Sequence, residues 1–509
     1  MTHIFDTVVE VHSPAAMEAL ARRLSLWIRP GLVVALKGDL GTGKSTFARA
    51  FIRAVADTAD LDVPSPTFSL LQHYDDLRVP LLHADLYRLH DARESAELGL
   101  EEFIATHGLL IEWPERMDVN ALSGDMLALN LSGNGTSRTV GITAAGRWAA
   151  ALKREDQLTA FLAKSEFRHH ERRFFLGDAS TRRYETLHAG GNKTLLMDMP
   201  ERSDTAAVHH GKSYSALVHL ADSIPAVLAI NQHLHGLGYS APQVYASDHE
   251  HGFAAMEFLE GDVHGAMMVR GDDMWEPMGC AVDLLADMAT HEWPRNIKTV
   301  EGGAYTLSDF DIEALVFETS LMPTWFWPHL HGTAASPELM ASFENIWRNL
   351  LPPAFDTDPI WVLRDFHSPN LIWMPQRQKL RRTGLIDTQD AVVGHPAYDL
   401  VSLLQDARVD VQPAMQDRLY ARYVAARQQH GAFDATAFAA AFASLGAQRA
   451  TRLLGTFTRL SKRDGKHHYL QHRPRVARYL LRNLAHPHLK PLLQWYQAHL
   501  PEALQLATP

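Results

Sequence analysis

Two patterns of apolar and polar positions follow one another along the chain. In the first, up to about residue 150, short apolar runs alternate with amphipathic stretches, the mark of α/β structure. LVVALKG (32–38) reads as an apolar strand, and KSTFARAFIRAV (44–55) as a helix that gathers Phe47, Phe51 and Val55 on one face. Strand-like runs follow at FSLLQHY (68–74), LLHADLY (81–87) and GLLIEWP (108–114). MLALNLSGNGTSRTVGIT then reads as a hairpin around Asn134-Gly135, a pair suited to positive φ. RWAAALKREDQLTAFLAK, at helical spacing with no Gly or Pro, predicts a helical connector and sets a domain boundary near 150–156.

From about residue 167 the pattern changes. Short strands (RYETLHA, KTLLMDM, FAAMEFLEG) give way to long Ala- and Leu-rich helical segments that run to the end. That order predicts an α+β domain with two lobes, a sheet-bearing one over about 167–262 and a helical one over about 263–509, with EFLEGD (257–262) as the hinge. The predicted domains are therefore 1–153 and 154–509. The C-terminal basic segment RLSKRDGKHHYLQHRPRVARYLLRN (459–483) reads as a helix face plus a loop in preference to a nucleic-acid site.

Composition narrows the function classes. At 509 residues the chain is too long for one ordinary core, since domains average ~150 residues. Hydrophobic content of 46% with 21% charged residues excludes a largely disordered chain. A net charge of −11 argues against gripping nucleic acid through a general field. The single cysteine, Cys280, cannot form an internal disulfide, and the N-terminus has no signal-like run, so a cytoplasmic location is expected. No run approaches the length of a membrane span.

Two stretches carry chemistry. GDLGTGKS (38–45) fits G-x-x-x-x-G-K-[ST] between a predicted strand and a predicted helix, the context a P-loop requires. Gly38, Asp39, Gly41, Thr42 and Gly43 form the loop whose N–H groups converge on phosphate oxygens. Lys44 reaches the β/γ-phosphates, and Ser45 offers its hydroxyl to Mg²⁺. Downstream stand VPSPTFSLL (63–71), LHADLYRL (82–89), ELGLEEF (97–103) and LLIEWPER (109–116). With these four motifs in this order, Gly38 to about Arg116 resembles the TsaE-type ATPase subunit of the bacterial tRNA threonylcarbamoyladenosine machinery. Asp85 and Glu112, at strand ends, are the acids expected to hold Mg²⁺ and orient the attacking water. The resemblance makes Thr67 a switch position near the γ-phosphate. Trp113 is either a core aromatic or a nucleotide-facing one, and Arg88 and Glu97 are open between site and fold roles. The family implies TsaB/TsaD-like partner proteins, with tRNA contacted only indirectly.

The second stretch is VLRDFHSPNLIWM (362–374). Asp365 is placed as the base that accepts a hydroxyl proton, Asn370 as a Mg²⁺ ligand, and Asp387 in GLIDTQDA as the second metal carboxylate. Asp399 in GHPAYDLVSLLQD (394–406) reads as a helix N-terminal or loop-bracing acid, structural rather than catalytic. With GDASTRRYETL, LLMDMP, SAPQVYA and RLSKRDGKHHYL, this half resembles the aminoglycoside-phosphotransferase-like kinases, and within them the AmgK-type kinases of N-acetylmuramate and N-acetylglucosamine in cell-wall recycling. Three positions depart from the general kinase pattern: Leu363 replaces the usual loop His, Thr388 the Gly after the metal Asp, and LLMD has no lysine. Asp178, Ala179, Ser180 and Thr181, with Arg182 or Arg183, are therefore expected to cover the ATP phosphates, with Lys193 a weaker candidate.

The resulting expectation is a bifunctional protein using ATP and Mg²⁺, an ATPase subunit for tRNA modification followed by an anomeric amino-sugar kinase. The alternatives for the second half are another hydroxyl substrate, choline- or aminoglycoside-like, or a pseudokinase that regulates the ATPase.

Overall fold

A computed structural model describes residues 4–507, apart from 91, 119–121, 123, 134–136, 178–181, 202–210, 222, 300–302 and 356. Packing divides the chain into two compact units, Met1–Leu196 and Met197–Pro509.

The first unit opens with β1 (Ile4–Val11), α1 (Pro14–Ser25), β2 (Leu32–Lys37), α2 (Lys44–Ala56), β3 (Leu71–Tyr74) and β4 (Leu81–Asp85). Short helices α3 (Ala92–Ala96) and α4 (Leu100–Phe103) lead to β5 (Gly108–Glu112), β6 (Asp125–Ser132), β7 (Arg138–Ala145) and α5 (Gly146–Ala163). The strands form one sheet in the order β1-β7-β6-β2-β5-β4-β3. Its centre is parallel: β2 pairs with β5 and β6, and β4 with β5, all in parallel. These strands are continuous apolar runs because helices cover both faces; Leu32–Leu36 and Leu81, Leu82 and Leu110 are fully buried. Phe47, Phe51 and Val55 of α2 pack into this core as the helical spacing requires. α5 packs on β6 and β7. The chain then continues through β8 (Glu171–Gly177), β9 (Arg183–Ala189) and β10 (Asn192–Asp198), with β8 and β9 antiparallel.

Two findings differ from the sequence pattern. The strand expected over 68–74 begins only at Leu71, because residues 67–70 make a turn closed by Leu70 N–H to Pro66 O at 2.7 Å. β1 was not expected at all; it is half exposed and pairs antiparallel with β7, far along the chain.

The second unit contains α6 (Tyr214–Leu217), α7 (Ile224–Gly236), β11 (Val244–Asp248), β12 (Phe253–Glu257), β13 (Asp262–Val263), α8 (His264–Arg270) and α9 (Trp275–Met288). After β14 (Asn296–Lys298), β15 (Ala304–Thr306), α10 (Ile312–Thr319), α11 (Trp327–His331) and α12 (Pro337–Leu350) come the strands that carry the site. These are β16 (Ile360–Val362), β17 (Leu371–Trp373), β18 (Thr383–Leu385) and β19 (Val392–Gly394). Helices α13 (Ala397–Leu404), α14 (Pro413–Gln429), α15 (Ala435–Asp464) and α16 (Arg473–Leu484) follow. One apolar core, built around Trp347, Trp361, Tyr398 and Tyr496, holds these helices together. The stretch AFAAAFASLGA lies inside the 30-residue α15, with Ala441, Ala443 and Ala447 buried, as a packed helix. Gly465 ends α15 in the left-handed conformation, φ 68, which separates the basic segment into a helix end, a loop and α16. Among the described residues no helix is long and apolar enough to cross a membrane.

Candidate active sites

The P-loop joins β2 to α2. Gly38, Gly41 and Gly43 all have positive φ, and a Cβ on Gly38 would lie 2.1 Å from Leu131 O, so only glycine lets the loop pass this close to β6. Lys44 Nζ donates to Gly38 O at 2.6 Å and to Asp39 O at 2.9 Å, while Thr42 Oγ1 donates to Asp39 O at 2.8 Å. Burial lowers the Lys44 pKa, against the pull of Glu112, Glu115, Asp85 and Asp39.

The strand ends supply the acids. Ser45 Oγ donates to Glu112 Oε2 at 2.9 Å, and His83 Nε2 lies 3.0 Å from Glu112 Oε1. The turn at 67–70 lets Thr67 Oγ1 donate to Asp85 Oδ2 at 2.7 Å. Parallel pairing puts Asp85 opposite Glu112 in register, which follows from both acids ending their strands. Ser45 is thus bonded to Glu112 and Thr67 to Asp85, with the two acids side by side, while the bonds of Lys44 stay within the P-loop. Trp113, with φ 60, places its ring 3.7 Å from Lys44 Nζ, so it faces the P-loop lysine while also packing on the sheet core. Arg88 stacks on the exposed Phe68 ring, and no ion pair among the described residues involves Glu97.

Two residues of this site escaped the sequence reading. His83 sits within a motif already noticed, and its partner is visible only once β4 and β5 pair. Arg138 on β7 donates to Thr42 O at 2.8 Å and Gly41 O at 3.0 Å, bracing the P-loop from a distant strand.

In the second unit a loop between β16 and β17 carries Asp365 and Asn370. Asn370 Nδ2 donates to Asp365 O at 3.1 Å, and Ile386 N–H donates to Asn370 O at 3.1 Å. That second bond ties the loop to the one bearing Asp387, whose Oδ1 accepts from Gln389 Nε2 at 2.8 Å. Arg364 and Asp387 both adopt left-handed backbone, φ 64 and φ 59. Burial works to raise the Asp365 carboxyl, but His367, Arg449 and Arg452 outweigh it and hold the group well below the usual carboxylate range. His367 Nε2 is 3.4 Å from Asp365 Oδ1.

Asp399, at the start of α13, accepts the N–H groups of Leu363 at 2.6 Å and Arg364 at 2.9 Å. It braces the loop, as expected, and burial pushes its pKa up to about 7. Arg364 is itself fixed, donating to Val218 O at 2.7 Å and Glu318 Oε1 at 2.9 Å. Leu363, where a histidine is usual, is buried among apolar neighbours. Thr388 Oγ1 donates to Asn231 Oδ1 at 2.8 Å, a bond that glycine could not make. Asp390, not singled out in the sequence, accepts Ala221 N–H at 2.7 Å. Its pKa is pushed up to about 6, chiefly by burial and also by the charges of Asp365 and Asp387, against Arg364, which places all three acids in one electrostatic neighbourhood.

Asp178, Ala179, Ser180 and Thr181 lie outside the described residues. Arg183 is buried, paired with Glu185, and lies over the Trp27 ring at 3.5 Å. Arg182 is described at the foot of β9, and Lys193 lies 5.3 Å from the Phe175 ring.

Known families match the chain in two separate stretches. Residues 11–140 match the family described as threonylcarbamoyl adenosine biosynthesis protein TsaE, and residues 171–438 match the phosphotransferase enzyme family. An N-acetylmuramate/N-acetylglucosamine kinase of Caulobacter vibrioides is 35% identical over 359 residues, 69% of this chain and 97% of that protein. A tRNA threonylcarbamoyladenosine biosynthesis protein TsaE of Bacillus subtilis is 39% identical over 102 residues, 20% of this chain and 62% of that protein. Its counterpart in Rickettsia bellii is 38% identical over 105 residues, 21% of this chain and 72% of that protein. The chain belongs to the TsaE family over residues 11–140 and to the phosphotransferase enzyme family over residues 171–438, two families fused in one polypeptide.

Proposed function

We propose that residues 1–153 form an ATP hydrolase supporting tRNA threonylcarbamoyladenosine modification, and that residues 154–509 form an ATP-dependent kinase of N-acetylmuramate or N-acetylglucosamine acting in cell-wall recycling. The first acts with TsaB/TsaD-like proteins and meets tRNA only through them. Both work in the cytoplasm.

The observation that carries the kinase reading is the tie between the Asp365–Asn370 loop and the Asp387 loop through Ile386 N–H and Asn370 O. Asp365 accepts the proton of the sugar hydroxyl as the oxygen attacks the γ-phosphorus, and the γ-phosphoryl leaves ADP. A strongly depressed Asp365 is ionised at neutral pH and ready to accept. The amide oxygen of Asn370 and the carboxylate of Asp387 are hard oxygen donors suited to Mg²⁺. When bound there, the ion neutralises charge on the transferring group. In the ATPase half, Ser45, Asp85 and Glu112 supply the same kind of donor set. Asp178, Ser180, Thr181 and Arg182 are assigned to the kinase's nucleotide.

The hydroxyl we assign is the anomeric one, the most acidic of the sugar and so the easiest for a carboxylate to deprotonate. The test is phosphorus NMR of the product. Free N-acetylglucosamine gives an acid-labile, non-reducing phosphate, and its methyl glycoside gives none. A stable 6-phosphate, or any phosphorylated methyl glycoside, would overturn the anomeric assignment.

A further inference from the structure

A cavity of about 430 Å³ lies in the first unit along the later turns of α2, bounded also by α1, residues 76–78 and β8. None of Lys44, Ser45, Asp85 or Glu112 lines it. Its wall carries six arginines: Arg22, Arg49, Arg53, Arg78, Arg172 and Arg173. Glu18, Asp57, Asp76 and Glu171 share the wall. Their charges are unevenly used. Arg172 is committed to Glu155 and Glu185, and Arg173 to Glu171. Arg53 Nε donates to a carbonyl, Leu61 O, at 2.9 Å, and Arg22 and Arg49 stand exposed at the rim without an ion pair among the described residues.

Arg78 is the anomaly. Its Nη2 donates to Ser25 O at 2.7 Å and its guanidinium lies 4.3 Å from the Phe174 ring centroid. Its Nε is buried with no hydrogen-bond partner, and no carboxylate among the described residues pairs with it. Burial, with Arg29 nearby, pulls its pKa down to about 10, against the opposing charge of Asp57 on the same wall. A desolvated cation with an idle N–H is costly unless an anion completes it. Several guanidinium forks around one space match a phosphate dianion better than a single carboxylate. The volume falls in the range of small-molecule sites, roughly 300–1,000 Å³.

We propose that this cavity binds a small phosphomonoester, its phosphate seated on Arg78 and Arg53 with Arg22 and Arg49 at the rim. The ligand would bridge α2, which begins with Lys44 and Ser45, to β8, where the phosphotransferase match begins.

Full-length protein saturated with ADP and Mg²⁺, so that both nucleotide sites are filled, is titrated by calorimetry with inorganic phosphate and separately with glucose 6-phosphate. The expected result is saturable binding weakened about tenfold or more by Arg78→Gln. Equal affinity for the two probes means that the phosphate alone is recognised; tighter binding of glucose 6-phosphate means that the organic part is held too. If Arg78→Gln does not fold, the Arg49→Gln/Arg53→Gln double variant decides by the same criterion. No saturation of either probe by about 10 mM, or unchanged binding in a variant that melts like the parent, overturns the site.

Discussion

Glu155 and Arg172 meet at two points, Nη1 to Oε1 at 2.7 Å and Nη2 to Oε2 at 2.9 Å, where neither side chain sees much water. Trp27 Nε1 adds a third donor to Glu155 at 2.8 Å, and Glu185 holds the other edge of Arg172 at 2.7 Å. Removing Glu155 leaves Arg172 buried with Glu185 alone and takes the acceptor from the Trp27 N–H. Glu155→Ala should therefore lower stability by about 3–5 kcal/mol. Arg172→Met should cost less in the Glu155→Ala background than in the parent, the coupling expected of two residues in contact, read from denaturant unfolding of the full chain.

The same pair sets an acid limit. Burial works to raise the Glu155 carboxyl, but Arg172 and the Trp27 N–H outweigh it and hold it below the usual range. Its contribution is complete above the unfolded value of ~4.3 and is lost as pH falls through the lower folded value. Thermal melts from pH 6 downward should show that loss, and Glu155→Gln, which cannot titrate, should show a flatter acid arm.

Lys44→Ala should reduce nucleotide hydrolysis by roughly two orders of magnitude or more, because the lysine serves only its own β/γ-phosphate site. Sugar phosphorylation by the same preparation should stay within about twofold. Loss of both activities in a folded variant would defeat the two-site reading.

Asp365→Asn should do the reverse, lowering phosphoryl transfer by roughly 10²–10⁴-fold while hydrolysis continues. Parallel assays on one preparation, with melting curves to show that the fold persists, separate lost chemistry from lost structure.

Asp399→Ala tests the brace. It leaves the buried N–H groups of Leu363 and Arg364 without their acceptor, at about 1–3 kcal/mol each. Stability and turnover should fall together, whereas Asp365→Asn affects turnover with little change in melting.

Much of this was readable because local order carries it. The P-loop, its flanking strand and helix, and the Asp365–Asn370 spacing are short-range features, and strand-end acids fall beside each other when parallel strands share register. What escaped was long-range. Arg138 reaches the P-loop from a distant strand, and Arg449 and Arg452 influence Asp365 from a helix some eighty residues on. β1 was missed because its half-exposed side chains carry a weak alternation, and its partner strand lies at the other end of the domain. The arginine-lined cavity was equally hidden, since its wall is assembled from four separated segments.

Asp387 holds a left-handed backbone that a non-glycine residue adopts only at some expense, of the order of 1 kcal/mol or more. Directed evolution that screens only for heat tolerance would find relief by placing glycine there. The survivors would melt later and transfer no phosphate. A selection for hardier forms of this protein must therefore score turnover in every round.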